Sequence, residues 1–164
     1  MGLQDWSLRG RLNIRSGDGN ETININWQQN HEEYDINLSG ALGMGAVQIT
    51  GNNDGVTINR AGEEDAIVSS DLDSLSTEVL GYAFPLRELL YWIKGIAAPG
   101  SQAARTRNPQ GLTATLSQAD ARGQRWELQY DRYQTVDSYA LPGRIRLEQV
   151  PYRLTFVISD WDIP

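Results

Sequence analysis

A short helix is predicted at Pro85–Gly95, in a chain whose other apolar residues mostly alternate with polar ones. Its apolar residues fall at i, i+3, i+4 and i+7 on one face: Leu86, Leu89, Leu90 and Ile93. Pro85 suits the first turn, Lys94 the last turn, and Gly95 the left-handed position just past the end. An apolar stripe among strands has to be buried, so the sequence predicts a helix lying on the open face or mouth of a sheet.

Strands dominate the rest of the chain. Trp6, Leu8, Leu12 and Ile14 alternate with polar residues, which is typical of a strand with one buried and one wet face. The same period of two continues at positions 23–27, 34–38, 47–49 and 56–58, and residues 66–68 are a shorter strand candidate. This pattern predicts an antiparallel meander of five or six strands.

The second half predicts further strands after the helices. A capping box at Ser70 and Asp73 indicates another helix, which carries Leu75 and Val79 on its stripe. Residues 28–32 are expected to form a polar loop, and residues 97–110 a long mobile loop. Strands resume at 112–116, 126–130, 145–147 and 154–158. We therefore expect a single domain over residues 1–164, with about ten antiparallel strands and two helices mid-chain. Such a sheet must curl, and its interior either packs solid or holds a ligand.

Composition excludes several function classes. The formal charge of −7 provides no basic stripe for nucleic acid, and we attribute this acidity chiefly to solubility. There is no cysteine, so disulfides, thiolate metal sites and a cysteine nucleophile are excluded. No apolar run approaches the ~20 residues that span a bilayer.

No constellation of residues supports catalysis. His31, the one histidine, falls in a polar loop and is expected to be solvated. The glycines of residues 40–45 join two strands and open no helix, which disfavours a phosphate cradle. Four of the five tryptophans, Trp6, Trp27, Trp92 and Trp126, lie in phase with apolar positions and are expected in the core. We expect no catalytic residue, no metal site and no cofactor.

The segment Gly40–Gly45 places large apolar residues where a hairpin tip usually has polar ones. Two interpretations of Leu42 and Met44 remain open. Leu42 either extends the inward phase of Ile36 and Leu38, or projects with Met44 as a small apolar probe that prefers lipid to water.

Taken together, several sequence pieces resemble the LolB family, outer-membrane lipoproteins that receive other lipoproteins from the periplasmic carrier LolA. The resemblance extends from Arg9 to Trp161. Its strongest part is the spacing of six residues in the predicted helix: Pro85, Leu86, Leu89, Trp92, Ile93 and Gly95. Supporting pieces occur in the same order along the chain: Trp27-Gln28-Gln29, Tyr34 with Leu38, Leu42-Gly43, Tyr130 with Tyr133, and Leu141-Pro142.

The resemblance implies a mainly β fold, an unclosed antiparallel β-barrel with helices as a lid over an apolar cavity for acyl chains. It implies a LolA-like carrier, acylated lipoproteins and outer-membrane lipid as partners, at the periplasmic face of the outer membrane. Leu42, with Gly43 and Met44, would form a membrane-insertion loop. We expect the family's acylated N-terminal cysteine and the helix before the first strand to be missing from this chain, which would then be a soluble form of a lipid-anchored protein.

The in-phase apolar positions supply candidate residues for the cavity. Candidates for its lining are Leu8, Leu12, Ile14, Ile25, Ile36, Leu38, Ile49, Ile58, Leu128, Leu147 and Phe156. Candidates for the lid are Leu75, Val79, Leu86, Leu89, Trp92 and Ile93. Two other classes stay open on the residues alone: a small hydrophobic-ligand barrel of the lipocalin or fatty-acid-binding type, and an inhibitor or scaffold protein with a solid core.

Overall fold

The computed structural model describes residues 3–17, 19–40, 46–69 and 85–164, which form thirteen strands and the helix α1 (Leu86–Trp92). The strands of the first half are β1 (Asp5–Ser16), β2 (Gly19–Asn30), β3 (Glu33–Ser39), β4 (Val47–Gly51), β5 (Val56–Arg60) and β6 (Ile67–Ser69). Those of the second half are β7 (Ala103–Arg107), β8 (Thr113–Ala119), β9 (Arg125–Asp131), β10 (Gln134–Val136), β11 (Tyr139–Leu141), β12 (Arg144–Gln149) and β13 (Tyr152–Asp162). The predicted helix around Leu75 and Val79 and the segment with Leu42, Gly43 and Met44 lie outside the described residues.

Eleven of these strands form one antiparallel sheet, in the order β6-β5-β4-β3-β2-β1-β13-β12-β9-β8-β7. Strands β10 and β11 pair separately as a short ribbon. The two halves of the chain meet where β1 pairs with β13, and β6 and β7 are the two edges of the sheet. The chain therefore passes from one edge to the other between β6 and β7, and α1 belongs to this crossing. The large unclosed antiparallel sheet confirms the predicted fold class.

Alternation along the strands separates a buried inner face from a wet outer face. Register aligns the buried residues into rows across the sheet. One row runs through five strands: Leu8, Trp27, Ile36, Ile49 and Ile58. A second row crosses the seam between the halves: Ile14, Leu154, Leu147, Leu128 and Leu116. These rows make the inner face continuous from β5 to β8.

The strand β13 contains an irregularity opposite β1. Arg9 pairs with Asp160 and Gly10 with Ile158, so Ser159 is an extra residue and its hydroxyl donates to the Arg9 carbonyl at 3.0 Å. A Cβ at Gly10 would collide with the carbonyl oxygen of Val157. Glycine at this position therefore lets the two halves of the sheet approach closely.

Two predicted loops were wrong. Strand β2 continues to Asn30, because the polar residues Gln28 and Gln29 pair with Asp35 and Tyr34 of β3, so only a two-residue turn remains. The expected loop 97–110 contains β7, whose residues are all exposed. An edge strand without a buried face shows no apolar alternation, which is why periodicity did not reveal it.

The helix α1 begins after Pro85 and ends at Trp92, within the predicted range. Gly95 adopts a φ of 84°, as predicted for the residue that ends the helix. The placement of Lys94 in the last turn was wrong, because the helix ends two residues earlier. The ammonium group of Lys94 instead donates to the Leu3 carbonyl at 3.1 Å, and burial lowers the pKa of Lys94. No helix in the described part of the chain is long and apolar enough to cross a membrane.

Candidate functional site

All eleven candidate lining residues lie on the inner face of the sheet. All of them are buried, and their exposed fractions range from 0% for Phe156 to 6% for Leu38. They therefore form one continuous apolar surface, and its aliphatic composition suits a hydrocarbon chain.

Sequence reasoning left other residues of this face out of the candidate set. They share the same alternation and the same burial: Ile23, Trp27, Val47, Val56, Leu116, Ile145, Leu154 and Ile158. The signal that identified their neighbours applies to them equally, and their register places them in the same rows. Trp27 was correctly assigned to the core, as were Trp6, Trp92 and Trp126.

The helix α1 covers part of this face. Leu86, Leu89, Trp92 and Ile93 are all buried, and they belong to the same apolar cluster as the strand residues. The remaining lid candidates, Leu75 and Val79, lie outside the described residues. The described part of the predicted lid is therefore packed on the sheet.

A buried polar side chain fixes α1 and the segment after it to β8. Gln118 is fully buried, and its Oε1 accepts hydrogen bonds from Trp92 Nε1 at 2.7 Å and from the Ala98 amide at 2.9 Å. Its Nε2 donates to the carbonyls of Ala98 at 2.6 Å and Ser101 at 3.0 Å. Because all four bonds are made, the amide is accommodated in an apolar interior at little cost.

Two tyrosines extend this attachment. The hydroxyl of Tyr130 donates to the Trp92 carbonyl at 2.7 Å, and that of Tyr133 donates to the Thr113 carbonyl at 2.7 Å. Thr113 in turn donates to the Gly95 carbonyl at 2.9 Å. Burial raises the pKa of Tyr130 well above its usual value and raises the pKa of Tyr133 to about 12. Both phenols therefore stay neutral at ordinary pH and keep donating.

The beginning of α1 is held by the β8–β9 turn. Glu88 is buried, and its Oε1 accepts a hydrogen bond from the Ala121 amide at 3.4 Å. Asp120 organises this turn, since its carboxylate accepts from the amides of Arg122 and Gln124 and from Trp126 Nε1. These contacts all lie on the side of β8 and β9.

Toward the other half of the sheet, α1 leaves a small gap. A cavity of about 100 Å³ separates Arg87 and Leu90 of α1 from Tyr34, Val56 and the β4–β5 turn. Burial raises the pKa of Tyr34, and the nearby Arg87 charge opposes this rise. Among the described residues, α1 therefore makes polar contacts with β8 and the β8–β9 turn, and the small cavity lies on its other side, toward β3–β5.

The outer surface near the β2–β3 turn has a different character. A hollow of about 640 Å³ there is lined mostly by polar residues, among them Asp5, Asp35, Asp162 and Gln28, together with Trp6 and Tyr34. His31 is exposed in this turn, as predicted, and its Nδ1 lies 3.0 Å from Asp5 Oδ1. The polar lining is unsuited to a hydrocarbon chain, so the inner face remains the candidate site.

Comparison with known families agrees with this geometry. The family model described as "Outer membrane lipoprotein LolB" matches residues 4–161. The chain belongs to the LolB family. This membership confirms the resemblance noted from the sequence.

Relatives named outer-membrane lipoprotein LolB match over nearly the whole chain. The relative from Cellvibrio japonicus is 35% identical over 166 residues, covering 98% of this chain and 79% of the relative. The relative from Nitrosococcus oceani is 35% identical over 162 residues, covering 98% and 78%. The relative from Pseudomonas aeruginosa is 33% identical over 159 residues, covering 97% and 75%.

Solved structures share the fold at low identity. A LolA superfamily protein from Nitrosomonas europaea superimposes with a TM-score of 0.63 at 8% identity, covering 100% of this chain and 89% of the other. A putative outer membrane lipoprotein-sorting protein domain from Vibrio parahaemolyticus gives 0.61 at 8% identity, covering 98% and 86%. These likenesses support the fold of the sheet.

Proposed function

We propose that this chain is a lipoprotein receptor of the outer membrane, which holds the acyl chains of lipoproteins against its inner face and inserts them into the membrane. The observation that carries the proposal is the continuous apolar inner face partly covered by α1, in a chain of the LolB family. This family membership disfavours the alternative of a lipocalin-type or fatty-acid-binding barrel.

The energetics of acyl chains support a passive receiver. Burying a sixteen-carbon chain is worth on the order of 12 kcal/mol at ~0.8 kcal/mol per CH₂. With no nucleotide-binding motif in the sequence, transfer has to run downhill through differences in affinity. The receiver must bind acyl chains firmly, yet less firmly than a bilayer does. Partial burial between β-strands and α1 satisfies both requirements.

We propose a LolA-like carrier as the donor, docked beside α1 at the periplasmic face of the outer membrane. Direct passage from one apolar interior to the other avoids exposing acyl chains to water. We further propose that Leu42, with Gly43 and Met44, contacts the bilayer during delivery. One leucine buried in lipid contributes only ~2 kcal/mol, which biases a brief encounter without anchoring the protein.

The test is binding of a fluorescent acyl probe and its displacement by a triacylated lipoprotein. Leu89 is buried on α1, so we expect Leu89→Glu to abolish probe binding while far-UV circular dichroism still shows the strands. Ile96→Glu is the matched control, because Ile96 follows α1 and is 38% exposed. Probe binding that survives Leu89→Glu would show that α1 does not cover the acyl site.

A second readout locates the probe within the protein. Trp27, Trp92 and Trp126 are fully buried and belong to the inner apolar cluster, so a brominated acyl chain bound there quenches their fluorescence. Quenching that disappears on adding triacylated lipoprotein supports one shared site. Probe binding without quenching would place the acyl chain elsewhere.

A further inference from the structure

The β12–β13 hairpin ends in two exposed apolar residues, Val150 and Pro151. Val150 is 92% exposed, which is the highest value among the exposed large hydrophobic side chains of the described residues. Hairpin tips usually carry polar or glycine residues, because apolar side chains there gain nothing from folding. The apolar side chains of Val150 and Pro151 are therefore exposed at the tip without contributing to the stability of the fold.

The strand register places this tip at a defined end of the sheet. Tyr152 of β13 pairs with Ser16, so the tip lies beside the β1–β2 turn. Strand β3 runs toward the same end, because its last residue, Ser39, pairs with Asn24 of β2. Asp5 and the start of β1 lie at the opposite end of the sheet.

Arginines lie directly behind the tip on the outer face. Arg15 and Arg153 are paired across β1 and β13, and both are exposed. Arg153 forms an ion pair with Glu148 at 2.9 Å, whereas Arg15 makes no ion pair with any described residue. Arg15 is therefore a cationic group close to the apolar tip, and the exposed Glu21 lies next to it on the neighbouring strand β2.

We propose that the tip formed by Val150 and Pro151, with Arg15 behind it, contacts the surface of an anionic phospholipid bilayer. The apolar side chains enter the headgroup region while the Arg15 guanidinium pairs with lipid phosphate. Two apolar residues are too few for a stable protein interface, which needs roughly 800 Å² from each partner. This inference rests on the proposed function and adds a second lipid contact to the one proposed there for Leu42.

The experiment is co-sedimentation of the chain with vesicles of phosphatidylethanolamine and phosphatidylglycerol. We expect Val150→Glu to weaken vesicle binding about tenfold. This is the loss expected when a valine that enters the lipid headgroup region is replaced by a charged residue. Val68→Glu is the matched control, because Val68 is 73% exposed on the outer face of the edge strand β6, away from the tip. Arg15→Gln should weaken binding to these vesicles and leave binding to neutral phosphatidylcholine vesicles unchanged.

Acyl-probe binding and melting temperature, measured on the same variants, separate this inference from the proposed function. Val150→Glu should keep both at the level of Val68→Glu. Vesicle binding of Val150→Glu equal to that of Val68→Glu would overturn the inference, and so would loss of probe binding along with vesicle binding. If the unmodified chain binds no acyl probe, the proposed function fails, whereas the vesicle comparison still decides the role of the tip.

Discussion

Replacing Gln118 by leucine tests whether the buried amide holds α1 on the sheet. Leucine has a similar volume, so it leaves no room for a water that could replace the amide. The change removes the acceptor of Trp92 Nε1 and of the Ala98 amide, both of which are buried, and a donor to the Ala98 carbonyl. Each buried group left without a partner costs about 1–3 kcal/mol, and the added apolar contact of leucine offsets part of this.

We therefore expect Gln118→Leu to lower the free energy of unfolding by about 3 kcal/mol. For a chain of this size the melting temperature falls by about 6–12 °C. Urea and thermal unfolding, followed by tryptophan fluorescence, measure the change. Hydrogen exchange at the amides of Trp92 and Ile93 should accelerate, because α1 loses its attachment to β8.

Gln129→Leu provides the matched control. Gln129 lies exposed on the outer face of the neighbouring strand β9, where the same substitution should change stability by less than about 0.5 kcal/mol. If Gln118→Leu proves as stable as Gln129→Leu, the amide does not hold α1. The attachment would then have to come from apolar packing alone.

Four other changes give separate tests. Leu42→Glu should leave the melting temperature and acceptance of lipoprotein unchanged but prevent transfer into liposomes; loss of all three would mean that Leu42 packs inward. Because burial raises the pKa of Tyr133 from 10.0 to about 12, its neutral form stabilises the fold fully below pH 10, and this stabilisation is lost as pH rises through about 12. Urea unfolding at several pH values should therefore show a shallower alkaline loss for Tyr133→Phe, and equal slopes would contradict this. Gly10→Ala should lower the free energy of unfolding by about 1–3 kcal/mol, because the new Cβ meets the Val157 carbonyl; urea unfolding measures it, and an unchanged midpoint would refute it. A photo-crosslinker at Ala97 should capture a LolA-like carrier, and capture only from outer-face positions would reject docking beside α1.

The strands were largely predictable because burial of one face imposes a period of two on the sequence. Ile36 and Leu38 of β3, for example, are buried at the positions that alternation assigns to the core. The exposed strand β7 was missed because neither of its faces is buried. Strand β2 was cut short because its last residues are polar, although their backbones still pair with β3.

The sequence predicted the apolar residues of the candidate site but not its buried polar residue. Helical spacing identified Leu86, Leu89 and Ile93, which the structure buries, whereas Leu90 of the same predicted stripe is only half-buried. Gln118 gave no such signal, since a polar residue at an inward position becomes favourable only when distant groups supply its hydrogen bonds. Those partners, Trp92, Ala98 and Ser101, are brought to it by the fold.

The pairing of β1 with β13 has a consequence for how the chain folds. Most neighbouring strands of the sheet are joined by short turns, whereas this seam joins Leu12 to Phe156, near opposite ends of the sequence. Closing so long a loop carries an entropic cost that local hairpins do not bear, so we expect each half to form its hairpins first. We expect the seam to form last, with the extra residue Ser159 marking the register in which β1 and β13 pair.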